Sequence, residues 1–123
     1  MPPPYHVLVA DDDAMIRSLV ARILVRTYPQ VTVREVANGL EALTIYDQQV
    51  PDLLITNYNM PGLDGFGLVT TLRTTRQATL PILMISAHPS AEARARACGV
   101  TAFLLKPFSL SGLTTTLLTL LPP

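Results

Sequence analysis

The apolar positions along the chain change their spacing several times, and each change predicts the boundary of a strand or a helix. Short continuous apolar runs predict buried strands at residues 5–10, 31–36, 52–56, 80–86 and 101–105. Apolar residues that recur every three or four positions predict helices at residues 14–28, 39–49 and 109–121, with one more around Phe66, Val69 and Leu72. A short, polar helix is predicted at residues 90–99, ending at the C-cap glycine Gly99. Five strands therefore alternate with five helices.

This alternation predicts an α/β fold, because parallel strands need crossover connections and helices are the usual crossovers. The strand at 31–36 carries polar Thr32, Arg34 and Glu35 and is expected at an edge of the sheet. Three helices are expected to turn an apolar stripe toward the core. The stripe of the first helix is Ile16, Leu19, Val20, Ile23 and Leu24, and that of the second is Leu40, Leu43 and Tyr46. The stripe of the last helix is Leu110, Leu113, Leu117, Leu120 and Leu121.

Composition narrows the classes of function. Charged residues make up 15% of the chain, below the roughly 25% usual for soluble domains, and the net charge is zero. A neutral chain argues against direct nucleic-acid binding through phosphate neutralisation, and no apolar run reaches the length of a membrane span. The start, MPPPYH, does not resemble a signal peptide. With one cysteine, Cys98, the chain is expected to be a cytoplasmic domain.

Polar side chains stand at the carboxyl ends of four predicted strands, where open parallel sheets bind their ligands. Asp11 and Asp12 follow the first strand, Asn57 the third, Ser86 ends the fourth, and Lys106 follows the fifth. Adjacent carboxylates suit Mg²⁺, and a lysine with a hydroxyl suits the oxygens of a phosphoryl group. Asp13, which directly precedes a helix, is expected to cap that helix instead.

Four motifs carry a resemblance that spans essentially the whole chain. ADDD after the first strand, NYNMPGLDG after the third, MISA on the fourth and FLLKPF around the fifth resemble the receiver domain of two-component response regulators, the CheY-like family. The resemblance implies a flavodoxin-like, doubly wound five-stranded parallel sheet of strand order 2-1-3-4-5. It also implies one receiver domain over residues 1–123. The proline-rich ends, residues 1–4 and 122–123, are expected to be terminal or linker stubs.

The resemblance implies a role for each residue that matches the family's motifs. Asp11, Asp12 and the backbone carbonyl of Asn59 would hold Mg²⁺. Ser86 would bond the incoming phosphoryl group, and Lys106, followed by a cis proline, would pair with it. The implied switch residues are Ser86 and Phe103, and the implied pocket rim is Tyr58, His88 and Pro107.

Asn57 departs from the family's pattern, which has an aspartate as phosphoacceptor at this position. An amide oxygen is a far poorer nucleophile than a carboxylate, so phosphorylation at Asn57 is not expected. Asn57 could still offer its carbonyl oxygen as a weak metal ligand, so Mg²⁺ binding is expected to be weakened. Because the two side chains are nearly isosteric, the fold should be unaffected.

Several interpretations stay open on sequence alone. The chain is either an interaction module that signals without phosphorylation or an ordinary Mg²⁺-dependent receiver in an Asp-to-Asn form. A small hydrolase that uses Asp11 or Asp12 as nucleophile is a third. The expected partner is a histidine kinase, another signalling protein or a fused output domain, and the uncharged last helix offers it a polar face. Phe103 could equally be a packing residue, His88 a solvent-facing loop residue and Cys98 a small core residue.

Overall fold

The computed structural model describes residues 4–123, which form an α/β fold with one five-stranded sheet. The strands are β1 (His6–Ala10), β2 (Thr32–Val36), β3 (Leu53–Asn57), β4 (Ile82–Ser86) and β5 (Ala102–Leu105). The helices are α1 (Ala14–Thr27), α2 (Gly39–Gln48), α3 (Gly65–Thr75), α4 (Glu92–Cys98, after a 3₁₀ turn at Pro89–Ala91) and α5 (Leu110–Leu120). Every predicted element is present, with boundaries that differ by one or two residues.

The sheet is parallel throughout, with the strand order β2-β1-β3-β4-β5, so the predicted flavodoxin-like order is confirmed. β2 lies at an edge, as its polar residues predict. β3 and β4 lie inside the sheet and are buried along their whole lengths. The carboxyl ends of all five strands consequently meet at one edge of the molecule, where the motif residues stand.

Side-chain alternation along the strands divides the core into two layers. One layer joins Leu8, Leu54 and Met84 to apolar side chains of α2, α3 and α4. The other joins Val9 and Ile55 to α1 and α5. The strands are held firmly from both faces, so the residues that follow them start from fixed positions.

The helices begin and end at residues that the sequence marks. Asp13, Asn38, Asp64 and Ser109 each accept a hydrogen bond from a backbone N–H in the first turn of the helix that follows. Asp13 is therefore a cap, as expected. Gly99 ends α4 with a φ of 115°, a left-handed conformation that suits glycine.

The inward orientation predicted for three leucines is wrong. Leu19, Leu40 and Leu110 are 41%, 61% and 50% exposed. Leu40 and Leu110 lie in the first turns of α2 and α5, whereas the side chains of these helices that enter the core are Ala42 and Tyr46 of α2 and Leu113 and Leu117 of α5. Beside Leu19, Val20 occupies the inward position of α1 and is fully buried.

The two predicted stubs stand at the ends of the chain, and the C-terminal one contacts Tyr5, just before β1. Residues 1–3 of the expected N-terminal stub lie outside the described residues, and Pro4 is exposed. At the other end, the hydroxyl of Tyr5 donates to the carbonyl of Pro122. The hydroxyl of Tyr28 donates to the carbonyls of Leu117 and Leu121. The end of α5 is therefore tied to the base of the sheet.

Candidate functional site

The fold brings the predicted side chains of three strand ends into contact. Parallel pairing places Ala10 beside Thr56, so Asp11, which follows β1, is a neighbour of Asn57, the last residue of β3. Lys106, which follows β5, reaches both of them. Asp11 is 3% exposed and Asn57 is 8% exposed, so their polar groups depend on one another more than on water.

The amide of Asn57 is bonded at both ends. Its Nδ2 donates to the backbone carbonyl of Asn59 at 2.8 Å and faces Oδ1 of Asp12 at 3.4 Å. Its Oδ1 accepts from Nζ of Lys106 at 3.4 Å. The reverse orientation would set an NH₂ group against the ammonium of Lys106 and an oxygen against two other oxygens. The charges around the amide therefore allow one orientation.

Lys106 bridges Asp11 and Asn57 across the pocket. Its Nζ lies 3.3 Å from Oδ2 of Asp11, and its side chain is largely buried. The peptide bond between Lys106 and Pro107 is cis, as the resemblance implied. The backbone N–H of Lys106 donates to the carbonyl of Ser86 at 2.8 Å, which joins this turn to the end of β4.

Arg17 is a part of the site that sequence reasoning missed. Its Nη1 donates to the backbone carbonyl of Asp11 at 2.7 Å, and its Nε lies 3.6 Å from Glu35 on β2. The one hint in the sequence was the position of Arg17 on α1, one turn after the capping Asp13. Its partner is a backbone atom of another element, so spacing alone could not reveal the contact. Arg17 holds the loop after β1 in position.

The remaining predicted residues occupy the rim or the adjoining core. Ser86 is fully buried, and its Oγ accepts from the N–H of His88 at 3.0 Å. His88 is exposed, and its ring meets the ring of Tyr58 edge-on, with 5.4 Å between centroids. Pro107 is exposed. Phe103 is partly buried and packs against the core layer formed with α2, α3 and α4.

Three further side chains lie in or against the core beside the site. Thr56 is fully buried, and its hydroxyl donates to the carbonyl of Asn57. Cys98 is partly buried against the core, and burial raises the pKa of its thiol. Arg94 is exposed, and its guanidinium stacks over the ring of Phe66, 4.2 Å from the centroid.

The donor set near Asn57 fits Mg²⁺ by chemical type but not by arrangement. Asp11, Asp12 and the carbonyl of Asn59 are oxygen donors of the kind that Mg²⁺ takes. Among residues 4–123, no three His, Cys, Asp or Glu side chains form a metal-binding group. The NH₂ group of Asn57 points at two of the three oxygen donors, so the pocket as it stands presents a hydrogen-bond donor where a cation would need acceptors.

The pKa of Asp11 is raised above its ordinary value of 3.8, chiefly because burial disfavours the charged carboxylate. The N–H of Asp13 and the ammonium of Lys106 act in the opposite direction and lower this pKa, without cancelling the effect of burial. The folded state thus holds the Asp11 proton more tightly than the unfolded chain does. The stability that this gives is fully present below about pH 3.8 and is lost as the pH rises through the folded-state pKa.

Asp11→Asn is therefore expected to become progressively more favourable relative to the parent chain as the pH rises through that range. The amide has no proton to lose, so it avoids the desolvation of a buried charge. The free energy of unfolding of both chains should be measured with urea at a series of pH values, with a chelator present. A difference that stays constant across the series would contradict the raised pKa.

Comparisons with known proteins identify the family. The model of the response regulator receiver domain matches residues 7–118, and the chain belongs to this family. It is 36% identical over 110 residues to the transcriptional regulatory protein PdtaR of Mycobacterium tuberculosis, which covers 89% of this chain and 53% of that protein. It is also 37% identical to the sensor protein EvgS of Escherichia coli, covering 94% of this chain and 10% of that protein.

Solved structures agree with the fold. A putative response regulator from Chloroflexus aurantiacus is 31% identical, covers 98% of this chain and 100% of its own, and gives a TM-score of 0.89. The chemotaxis response regulator CheY4 of Vibrio cholerae is 34% identical, covers 95% and 98%, and gives 0.86. Receiver domains are signalling modules that generally bind Mg²⁺ at their acceptor site. The family assignment favours a receiver domain over the alternative of a small hydrolase.

The chain spans about half the length of PdtaR, 53%, and a tenth of EvgS, so it corresponds to one part of each. No helix within residues 4–123 is both long and apolar enough to cross a membrane.

Proposed function

We propose that this chain is a receiver-type signalling domain that works as a protein-interaction module and does not accept a phosphoryl group at Asn57. The observation that carries the proposal is the amide of Asn57 at the end of β3, surrounded by Asp11, Asp12 and Lys106. These are the residue types that would serve a phosphorylated aspartate. The side chain that would attack phosphorus is an amide.

The chemistry of the amide supports this reading. A carboxylate oxygen carries charge and can form an acyl phosphate, whereas the oxygen of an amide is neutral. The hydrogen bond between that oxygen and Lys106 withdraws electron density from it further. Neither Asp11 nor Asp12 could convert the amide into a competent nucleophile. The domain is thus not an enzyme in its present form, and we propose that its affinity for Mg²⁺ is low.

The proposed partner is a histidine kinase, another signalling protein or an output domain in the same chain. The relatives named as a transcriptional regulatory protein and as a sensor protein are longer than this chain, which supports a role as one module among several. The face formed by α4, β5 and α5 suits such a contact. It exposes Leu105 and Leu118, and α5 carries no charged residue. We place the module in the cytoplasm and expect no contact with nucleic acid.

An alternative is supported by the completeness of the pocket. Asp11, Asp12, Ser86 and Lys106 are all present, so the chain could be an ordinary Mg²⁺-dependent receiver with a blocked acceptor. Under this alternative, a single substitution should restore phosphoryl transfer. Under the interaction-module proposal, the parent chain stays unmodified whatever the restored chain does.

The test compares the parent with Asn57→Asp by intact mass after incubation with Mg²⁺ and a small acyl phosphate. The parent is expected to gain no phosphoryl mass, because it lacks the nucleophile. Asn57→Glu serves as a matched control, since it adds a carboxylate that is one methylene too long. Gain of mass by the parent would overturn the proposal. Gain by Asn57→Asp alone would support the blocked-receiver origin of the site.

A further inference from the structure

We infer that the amide of Asn57 closes the cation site of this domain by putting its own NH₂ group where Mg²⁺ would bind. The inference deepens the proposed function, on which it rests. A missing carboxylate by itself would leave a weak cation site with free ligands. Here the ligands are occupied by hydrogen bonds from within the chain.

The geometry shows which ligands are occupied. Nδ2 of Asn57 donates to the carbonyl of Asn59 at 2.8 Å and faces Oδ1 of Asp12 at 3.4 Å. An NH₂ group has two hydrogens, one for each of these oxygens. The carboxylate of Asp11 is engaged as well, by the N–H of Asp13 at 2.9 Å and by Lys106 at 3.3 Å.

Lys106 prevents the amide from turning round to serve the metal. A carboxylate at position 57 would have two acceptor oxygens, one for a cation and one for the ammonium. The amide of Asn57 has a single acceptor, and this oxygen already faces Nζ of Lys106 at 3.4 Å. If the amide turned its oxygen to a cation, its NH₂ would point at the ammonium, donor against donor. Binding the cation and keeping the contact with Lys106 therefore exclude each other.

The balance of charge favours the closed arrangement too. The pocket holds the carboxylates of Asp11 and Asp12 against the ammonium of Lys106, so its net charge is −1 where an aspartate at 57 would make it −2. The polar hydrogens of Asn57 reduce the repulsion between the remaining oxygens. Within residues 4–123, no buried side-chain nitrogen or oxygen lacks a hydrogen-bond partner. The buried polar groups of the pocket, on Asp11 and Asn57, are thus hydrogen-bonded without a cation.

The substitution Asn57→Ala distinguishes this inference from the alternative explanation, in which the site binds Mg²⁺ weakly only because it has lost a negative charge. If Asn57 closes the site, Asn57→Ala frees Asp12 and the carbonyl of Asn59, and the affinity for Mg²⁺ rises. If Asn57 is instead a weak ligand through its oxygen, Asn57→Ala binds Mg²⁺ less well than the parent. The two accounts predict changes of opposite sign from one substitution.

The experiment is a titration with MgCl₂, followed by calorimetry and by the midpoint of thermal unfolding, on the parent, Asn57→Ala and Asn57→Asp. Asn57→Ala is expected to bind Mg²⁺ roughly tenfold or more tightly than the parent, since the hydrogen bonds of the amide no longer compete. Asn57→Asp is expected to bind most tightly. Only the two variants should show a midpoint that rises with MgCl₂.

A localising control is Asp12→Asn in the Asn57→Ala chain, which should abolish the gain. A gain that survives this change would mean that the cation binds elsewhere and would overturn the inference. Equal or tighter binding by the parent than by Asn57→Ala would overturn it as well. So would a response by Asn57→Asp alone, because the amide would then not be the obstacle.

A second measurement covers the case in which Asn57→Ala does not fold. In the parent, the side-chain NH₂ signals of Asn57 should stay unchanged in NMR spectra across a titration with millimolar MgCl₂. Signals that shift to saturation would show that the amide yields to the cation and would overturn the inference. Neither measurement involves phosphoryl transfer, so the inference can fail while the result of the intact-mass test stands.

Discussion

Lys106→Met in the Asn57→Asp chain is expected to slow the gain of a phosphoryl group by about 10²- to 10³-fold, the effect of removing one preorganised donor from a developing negative charge. The ammonium of Lys106 reaches both position 57 and Asp11. It is largely buried, so its charge is only partly screened by water. Methionine keeps the length of the side chain and removes the charge.

The measurement is the rate of phosphoryl gain by intact mass with a saturating acyl phosphate. Arg26→Met in the same Asn57→Asp chain is the matched control, because it also removes one positive charge, from an exposed residue at the far end of α1. A rate for Lys106→Met within a few-fold of the control would show that Lys106 does not stabilise the incoming phosphoryl group. Circular dichroism of both variants checks that the fold is kept.

Gly65→Ala is expected to destabilise the domain by about 1–3 kcal/mol, because it overpacks the contact between the start of α3 and the end of β3. A Cβ at Gly65 would overlap the backbone oxygen of Asn57 and lie 2.7 Å from the Cα of Tyr58. Both are backbone atoms, held by the hydrogen bond from the N–H of Gly65 to the carbonyl of Tyr58 and by the buried strand. The strand end must therefore move, and Asn57 moves with it.

Gly67→Ala, two residues further along α3, is the control for Gly65→Ala. A Cβ there would meet a terminal methyl of the partly buried Leu63, which can move aside, and alanine favours the helix by up to about 1 kcal/mol. Urea unfolding should therefore separate the two variants clearly. Equal effects would mean that the contact between Gly65 and Asn57 does not constrain the site.

Because Gly65 lies so close to the strand end, we expect this site to tolerate a change of side chain better than a change of backbone. Asn57 stands on a strand that is buried on both faces, and the turn that follows closes back onto it. An amide and a carboxylate have nearly the same shape, so exchanging them alters charge and hydrogen bonding while the backbone stays in place. The effects of Asn57→Asp can thus be assigned to chemistry.

The elements and their ends could be predicted from the sequence because those signals are local. Apolar runs end where Asp11, Asn57 and Lys106 begin, and alternation of strands with helices implies a parallel sheet whose carboxyl ends meet. The edge position of β2, the cap at Asp13 and the αL glycine at Gly99 follow from the same local chemistry. These predictions needed no knowledge of which helix packs where.

The exposure of Leu40 and Leu110 could not be predicted in this way, because periodicity gives the direction of a side chain but not whether a neighbour stands opposite it. The same limit applies to Arg17, whose partner is a carbonyl on another element.

By itself, the sequence determined the fold, the family's motifs and the presence of an amide at position 57. Only the tertiary structure decided which way that amide faces. Asn59 lies two residues away, but Asp12 and Lys106 are 45 and 49 residues distant along the chain. Their charges act on Asn57 only once the sheet has brought the strand ends together, and those charges select the orientation that closes the site.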